Sequence, residues 1–346
     1  MPKKQDKPQF PSELRLDLIS KDWVVIATGR GKRPEMFKEA KRKKPEVPKQ
    51  DCPFCHIETQ GKPSLVFFRG ERLNTKDESV LNKWTTIVIP NKFPALLPYP
   101  KIETKIEGGL YQTITATGYC DLVVTNNHSK QLPDLEITQV KEVFDAYQQR
   151  YLDLMKEDFV NYISIFHNHG VDAGASQSHP HSQIITTPLI DIDLKKALLS
   201  AKKHLSRTGK CIYCEMNDWE KKIKKRVVFE NKEFLAVCPF ASKSAFQIII
   251  SPKKHASNFE LISEGDKWLL AEMFRECLRK MCKALNYPSY NFYLHTVPTD
   301  GKKYDYYHWH WTIIPKTSIW AGFEIGTRME ISVIAPEKAA EFLRKQ

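Results

Sequence analysis

The chain contains 346 residues, 41% of them hydrophobic, and it has a formal net charge of +12 at pH 7. This length allows two ordinary domains or one large domain with a sizeable core. No apolar run approaches the roughly 20 residues that a bilayer span requires, and residues 1–9 lack the apolar core of a secretion signal. The composition therefore argues against a membrane-spanning or secreted protein, and we expect a cytoplasmic one.

Positive charge is concentrated between residues 32 and 49, a Pro-containing segment that is rich in Lys and Arg. A solvated surface segment and an arm that binds nucleic acid both fit such a run. No DNA- or RNA-binding signature accompanies it, so nucleic acid is not the expected partner. Anionic small substrates would account for part of the charge.

Hydrophobic periodicity predicts the elements of the first half of the chain. Strands are expected at residues 23–26, 65–69, 84–89, 110–115, 122–124 and 162–166. Apolar residues recur at helical spacing between residues 140 and 155, which predicts an amphipathic helix. A Lys-rich helix near residues 194–205 closes this half.

The second half repeats this order, with strands at 234–237, 246–250 and 291–295 and a helix over 270–285. Ser263 and Asp266 have capping-box spacing at the start of that helix. A Cys-x-x-Cys pair, a loop His, a long helix and a His-x-His motif occur in the same order in both halves. The loop His and the His-x-His motif are offset by 127 and 129 residues.

Four features in one order indicate an internal duplication, with repeats at residues 12–205 and 206–335. Antiparallel strands with helices packed outside them give an α+β fold class. The second copy of the His-x-His motif has Thr312 where the first has Gln183. We therefore expect one active and one supporting half.

Four of the eight cysteines form two pairs, Cys52-x-x-Cys55 and Cys211-x-x-Cys214. In a cytosolic chain such pairs indicate metal binding first and redox chemistry second. We favour metal because both pairs are predicted to lie in loops beside Pro or Gly. The other four cysteines have apolar surroundings and are expected to be buried.

The duplication supplies the missing ligands, because zinc takes four N or S donors and one cysteine pair provides only two. One predicted Cys2His2 site consists of Cys52, Cys55, His128 and His179. The other consists of Cys211, Cys214, His255 and His308. We therefore predict two zinc ions per chain, with iron as the alternative in the second site.

Residues 176–183, Ser-Gln-Ser-His-Pro-His-Ser-Gln, lie where a small-residue loop enters a strand. The spacing of His179, His181 and Gln183 places their side chains on one face of an extended chain. A lone His-x-His fits a polar strand edge equally well, and the altered copy around His310 is what favours chemistry. With His179 bound to metal, a neutral His181 can attack a phosphoryl centre and form a covalent nucleotidyl-histidine. Gln183 can bind phosphate oxygens but cannot donate a proton as a charged histidine would, which favours transfer over hydrolysis.

Longer motifs carry a resemblance to a known family. The segments Cys52-Pro-Phe-Cys55, Asn126-Asn-His-Ser-Lys-Gln-Leu-Pro133 and His179-Pro-His-Ser-Gln183 resemble galactose-1-phosphate uridylyltransferases, the transferase branch of the histidine-triad superfamily. Segments 29–34, 91–96 and 322–327 match as well, and the resemblance extends over residues 13–327. It implies a homodimer whose subunits each contain two fused half-barrel, histidine-triad-like repeats.

The resemblance also implies a ping-pong reaction on nucleotide sugars and hexose 1-phosphates. His181 would take UMP from UDP-glucose and release glucose 1-phosphate, and galactose 1-phosphate would then accept the UMP. Gln183 would position the nucleotidyl phosphate, and Ser176, with Ser178 as the alternative, would lie near the leaving phosphate. The residues that match the nucleotide and phosphate pocket are Arg30, Arg33, Asn91, Phe93 and Asn168, and those that match the sugar end are Phe323 and Glu324.

The motifs do not decide between two nucleotide-sugar substrates. Well-known bacterial members hold the second metal with a Glu and three histidines, whereas Cys211 and Cys214 resemble the plant ADP-glucose phosphorylase. An adenylyltransferase of that type is therefore the alternative. A zinc-stabilised nucleic-acid-binding module would leave His181 and Gln183 without a role. A histidine-triad hydrolase is disfavoured because Gln183 replaces the third histidine.

Overall fold

The structure of the protein, a computed structural model, describes residues 12–28, 37 and 47–346. Its strands are β1 (Glu13–Leu16), β2 (Trp23–Ile26), β3 (Leu65–Phe68), β4 (Glu71–Leu73), β5 (Thr86–Pro90), β6 (Thr104–Glu107), β7 (Tyr111–Ile114), β8 (Cys120–Thr125), β9 (Tyr162–His169), β10 (His181–Thr187), β11 (Val227–Glu230), β12 (Phe234–Val237), β13 (Ile248–Pro252), β14 (Tyr290–His295), β15 (His310–Pro315) and β16 (Ile331–Ser332). Its α-helices are α1 (Ile137–Leu154), α2 (Ile192–Thr208), α3 (Ile212–Ile223), α4 (Glu264–Leu285), α5 (Gly322–Thr327) and α6 (Pro336–Arg344).

Eleven of these strands form one sheet, and its two central strands, β9 and β14, are called the seam below. From the seam outward the order is β9, β10, β8, β5, β3 and β4 on one side and β14, β15, β13, β12 and β11 on the other. Neighbouring strands in this sheet are antiparallel. Strands from the first half of the chain thus lie on one side of the seam and strands from the second half on the other.

Strand β10 shows how side chains divide between the two faces of the sheet. Ile184 belongs to the core beneath α1 and α4, and Ser182, two residues earlier, hydrogen-bonds to a side chain of α1. His181 and Gln183 alternate with these residues and therefore lie on the opposite face. The sheet thus separates the main hydrophobic core from the candidate functional side chains.

The two long helices pack against each other on the core face. The rings of Phe144 in α1 and Phe274 in α4 have centroids 5.0 Å apart. Helix α4 begins as predicted, because the Ser263 hydroxyl accepts a hydrogen bond from the Asp266 amide at 3.1 Å. In the part of the chain described, none of the helices combines the length and apolarity needed to cross a membrane.

The predicted α+β class is confirmed as a mixed fold with a large antiparallel sheet and several helices. The predicted strands and the three predicted long helices correspond to observed elements. The predicted loop at residues 211–214 is wrong, because Cys211 is the N-cap of α3 and Cys214 lies in its first turn. Cysteine is not a usual capping residue, so the sequence carries no signal for this helix start. Helix α2 continues to Thr208, and the repeat boundary predicted at residue 205 lies in its last turn.

Buried charges join β1 to the C-terminal helix α6. The Glu337 carboxylate accepts hydrogen bonds from Arg15 at 3.0 Å and from Arg226 at 2.7 Å. Arg226 also donates to Glu220 at 2.7 Å. Burial alone would raise the pKa of the Glu337 carboxyl, but hydrogen bonds from Arg15 and Arg226 lower it overall. Glu337 therefore remains charged and connects the two ends of the described chain.

Strands β6 and β7 form a separate hairpin outside the main sheet. Its apolar side chains Ile106, Leu110 and Tyr111 are largely exposed to solvent. A two-stranded hairpin alone is at best marginally stable in water. A group of exposed apolar side chains on such an element is typical of a surface that contacts a partner.

Candidate active site and metal centres

The first cluster consists of four donor atoms within 4.8 Å of one another, from Cys52, Cys55, His128 and His179. The Sγ atom of Cys55 lies 3.2 Å from Nδ1 of His128 and 3.6 Å from Nδ1 of His179. The Sγ atom of Cys52 lies 3.4 Å from Nδ1 of His179. A tetrahedral zinc with ordinary bonds separates its sulfur and nitrogen ligands by about 3.5 Å. The predicted set is therefore brought together with a spacing that fits a tetrahedral metal ion.

Backbone carbonyls determine which ring nitrogen of each histidine faces the thiols. Nε2 of His179 lies 2.7 Å from the carbonyl oxygen of Thr125, and Nε2 of His128 lies 2.9 Å from that of Val47. A carbonyl oxygen only accepts hydrogen bonds, so each Nε2 carries the proton and each Nδ1 keeps a free lone pair. Outer hydrogen bonds of this kind orient metal-binding histidines.

The second cluster has the same spacing, with donors within 4.8 Å of one another from Cys211, Cys214, His255 and His308. Sγ of Cys214 lies 3.4 Å from Nδ1 of His255 and 3.6 Å from Nδ1 of His308. Nε2 of His255 donates to the carbonyl of Asp305 at 2.7 Å, and Nε2 of His308 donates to that of Pro252 at 2.9 Å. Both predicted ligand sets are therefore assembled, each with two free imidazole lone pairs.

The two clusters differ in their exposure to solvent. Cys52 and His179 of the first cluster are each 1% exposed. The second cluster borders a surface cavity of about 720 Å³, and its His255 is exposed. A metal ion in the second cluster would therefore be more accessible to water and to chelators.

His181 is the first residue of β10 and is 9% exposed. Its Nδ1 lies 3.0 Å from the carbonyl oxygen of His179, so Nδ1 carries the proton and the Nε2 lone pair is free. Burial lowers the pKa of the His181 imidazole below its ordinary value. The ring of Phe54, from the Cys-x-x-Cys segment, lies 5.0 Å from it between centroids. The result is a neutral imidazole whose orientation depends on a residue of the first cluster.

His310 is the counterpart of His181 in the second half. Its Nδ1 lies 3.1 Å from the carbonyl oxygen of His308, and burial lowers its pKa to about 4. The ring of Tyr213 lies 5.6 Å away, in the place that Phe54 has in the first half. His295 stacks on His310 with centroids 4.5 Å apart. The second copy keeps the hydrogen bond, but its imidazole is packed between other rings.

Gln183 and Asn168 lie beside His181 on the face opposite the main core. Ser182 pairs with His167 of β9, so one step further along this register places Asn168 opposite His181. The Gln183 amide makes no hydrogen bond to any described residue. The Asn168 side-chain oxygen accepts a hydrogen bond at 2.8 Å from Asn291, a residue of β14 that the sequence did not single out.

The other predicted pocket residues lie on exposed segments. Ser176 is exposed in the loop that precedes β10. Asn91 follows β5, where its side-chain oxygen accepts a hydrogen bond from the Phe93 amide at 3.0 Å. The Phe93 ring itself is exposed.

Phe323 and Glu324 lie on the exposed helix α5, where the Glu324 carboxylate accepts a hydrogen bond from the Ala321 amide at 3.1 Å. No hydrogen bond, ion pair or ring contact between described residues joins either side chain to His181. Arg30 and Arg33 lie outside the described residues.

The structure also shows a buried group that the sequence did not indicate. His167 is buried and hydrogen-bonds through Nδ1 to Ser182 at 3.1 Å. Ser182 also hydrogen-bonds to Tyr147 of α1. The alternation along β9 places His167 on the same face as Ile163 and Ile165, which was the available signal for a core position.

Comparison with known proteins defines the class and then the family. Residues 220–319 match the HIT domain, and residues 3–190 match the galactose-1-phosphate uridyl transferase N-terminal domain. The fold and the site therefore define an enzyme of the nucleotidyltransferase class. The chain belongs to the galactose-1-phosphate uridyl transferase family, as its motifs predicted.

Named relatives cover nearly the whole chain. The ADP-glucose phosphorylase of Arabidopsis thaliana is 34% identical over 337 residues, which are 96% of this chain and 92% of the relative. The galactose-1-phosphate uridylyltransferase of Thermotoga maritima is 27% identical over 344 residues, 96% and 98% of the two chains. A crystal structure of the Arabidopsis ADP-glucose phosphorylase with bound ADP-glucose has a TM-score of 0.80 at 30% identity and covers 97% of this chain and 99% of its own.

Proposed function

We propose that this chain transfers a nucleoside monophosphate from a nucleotide sugar to an acceptor phosphate through a covalent nucleotidyl-His181. The observation that carries the proposal is the hydrogen bond from Nδ1 of His181 to the carbonyl of His179 at 3.0 Å. This bond leaves the Nε2 lone pair free on a neutral ring, which is the form of imidazole that attacks phosphorus. His310 has the same tautomer but is stacked on His295, so the first half is the active one.

The reaction has two steps. Nε2 of His181 attacks the phosphorus that carries the nucleoside, a P–N bond forms, and the P–O bond to the sugar phosphate breaks. An oxygen of the acceptor phosphate then attacks the same phosphorus, and the P–N bond breaks. The Gln183 amide donates a hydrogen bond to a phosphate oxygen and moves no proton in either step.

The remaining substrate contacts are assigned by the family resemblance. Ser176 and Asn168 bind the phosphates. The nucleotide contacts are Arg30, Arg33, Asn91 and Phe93, and the sugar contacts are Phe323 and Glu324.

Zinc is the proposed metal in both clusters, with iron as the alternative in the second. The four donors of each cluster, and their spacing within 4.8 Å of one another, support this assignment. When bound, zinc supplies a closed tetrahedral cross-link that fixes the position of His179 or His308. All eight cysteines are free of disulfides, which fits the reducing cytoplasm as the site of action.

Uridylyl transfer between UDP-glucose and a hexose 1-phosphate is the first candidate reaction. A named relative that covers 96% of this chain, from Thermotoga maritima, is a galactose-1-phosphate uridylyltransferase. A specific observation favours a second candidate, adenylyl transfer from ADP-glucose to phosphate. Identity to the Arabidopsis ADP-glucose phosphorylase is 34%, against 27% to the Thermotoga enzyme.

The mass of the covalent intermediate tests the proposal and separates the two candidates. The purified protein is mixed with UDP-glucose or with ADP-glucose, without acceptor, and its intact mass is measured. We expect an adduct of one UMP or one AMP, and release of glucose 1-phosphate in equal amount. Absence of an adduct with both donors would rule out the nucleotidyl-His181 mechanism.

We also propose that the chain consists of two tandem histidine-triad-like half-barrel repeats, over residues 12–205 and 206–335. The matching strand order on the two sides of the seam supports a duplication. The two Cys2His2 clusters support it as well. In each cluster the last ligand, His179 or His308, uses its backbone carbonyl to bind Nδ1 of the histidine two residues later.

A homodimer is the proposed assembly, and the exposed β6–β7 hairpin is its expected contact surface. Replacing both Ile106 and Leu110 with Asp should convert the dimer to a monomer, because charges would have to be buried at the contact. Sedimentation velocity measures this change. Leu261→Asp, an exposed apolar residue outside the hairpin, is the control and should remain dimeric. A wild-type protein that sediments as a monomer would contradict the proposal.

A further inference from the structure

A chain of three hydrogen-bonded side chains lies directly behind the strand that carries His181. The Ser182 hydroxyl is 2.5 Å from the Tyr147 hydroxyl and 3.1 Å from Nδ1 of His167. All three residues are 2% exposed or less. Each comes from a different element, α1, β9 or β10, so the two hydrogen bonds join one helix and two strands at a single point.

This point lies between the two residues that the proposed reaction requires. Ser182 separates His181 from Gln183 in sequence, and its side chain is on the opposite face of β10. Because the backbone of one strand carries all three, a shift of Ser182 moves both His181 and Gln183. Ser182 also lies directly opposite His167 in the antiparallel pairing of β10 with β9.

The buried environment of His167 does not satisfy both ring nitrogens of an imidazole. Its Nε2 has no hydrogen-bond partner among the described residues. Its ring stacks on Phe292 with centroids 4.8 Å apart and planes 3° apart, a contact that an apolar ring would make equally well. An unpaired buried polar atom destabilises the fold. The bond to Ser182 is therefore what an imidazole contributes at this position.

We propose that Tyr147, Ser182 and His167 form a positioning triad that holds β10 so that Nε2 of His181 and the Gln183 amide face the same phosphate. The triad touches neither substrate nor metal, and it acts through the strand. The inference rests on the function proposed above for His181, and it adds three residues to which no family motif assigns a role here.

Ser182→Ala tests the triad because alanine fits the serine site and removes only the central hydroxyl. We expect the rate of nucleotidyl-His181 formation in a single turnover to fall by about 10- to 100-fold, the effect of a small misalignment of reacting groups. The affinity for the nucleotide sugar should change by less than about threefold, since the triad contacts no substrate.

Thr186→Val is the matched control. Thr186 is buried on the same strand and the same face, and it accepts a hydrogen bond from the Tyr119 amide at 2.8 Å. Its removal should lower the melting temperature as Ser182→Ala does, but it should leave the single-turnover rate unchanged. Equal rates for the two variants would overturn the triad.

A double-mutant cycle and a rescue separate positioning from general loss of stability. Tyr147→Phe in the Ser182→Ala background should cause no further loss of rate, because the partner of the tyrosine hydroxyl is already gone. Ser182→Thr restores the hydroxyl and should recover most of the rate. Additive losses would overturn the triad. Absence of any adduct in the wild-type protein would instead overturn the proposed function, and with it the catalytic purpose of the triad.

Discussion

His181→Ala is expected to lower nucleotidyl transfer by about four orders of magnitude or more, the scale seen when a covalent nucleophile is removed. The measurement is exchange of labelled glucose 1-phosphate into the nucleotide sugar, which requires only the first half-reaction. Metal content should remain at the wild-type value, because the side chain of His181 is not one of the four donors of the first cluster.

His310→Ala is the matched control for this prediction. Its imidazole has the same hydrogen bond to the preceding histidine carbonyl, at 3.1 Å, but it is stacked on His295. We expect exchange within about threefold of wild type. Exchange that persists in His181→Ala, or that is lost in His310→Ala, would show that the active half has been assigned wrongly.

The second large effect is expected from removing one thiol of the first cluster. Cys55→Ala leaves only three donors in the first cluster, too few for a closed tetrahedral site, and removes a contact of His179, whose carbonyl orients His181. We expect loss of one equivalent of metal and a fall in adduct formation of about 10- to 100-fold, the usual effect of removing an orienting contact. Metal analysis and the intact-mass assay measure the two quantities on the same sample.

Cys214→Ala is the equivalent change in the second cluster and should have a different outcome. It also removes one thiol ligand, but the histidine that this cluster supports is His310. One equivalent of metal should be lost while at least half of the adduct formation remains. A chelator should remove metal from this cluster first, because it borders an open cavity. Equal losses of activity in both variants would contradict the division into an active and a supporting half.

The metal ligands could be predicted from the sequence because the chain contains each motif twice. A single Cys-x-x-Cys does not identify its other two ligands. The similar offsets of 127 and 129 residues match His128 with His255 and His179 with His308, and the repeated order assigns one cysteine pair to each set. The face of β10 could be predicted as well, since the alternation of a strand is a local property. These inferences need only short-range pattern and repetition.

The rest depends on contacts between distant residues, which leave no local pattern. Tyr147 and Ser182 are far apart in sequence. Nothing in either segment indicates that α1 will bring the Tyr147 hydroxyl within hydrogen-bond distance of the Ser182 hydroxyl in β10. The stacking of His295 on His310 likewise depends on the pairing of β14 with β15. Helix α3 could not be predicted from its start because Cys211, its N-cap, has a thiol rather than a capping oxygen.

The seam has a consequence for how the protein unfolds. Strands β9 and β14 share a continuous backbone ladder, and α1 and α4, one from each half, bury their apolar faces in a single core. Neither half can therefore separate without exposing both an unpaired strand edge and half of that core. The molecule should lose its structure in one cooperative transition, so that a change severe enough to unfold the supporting half also unfolds the active half.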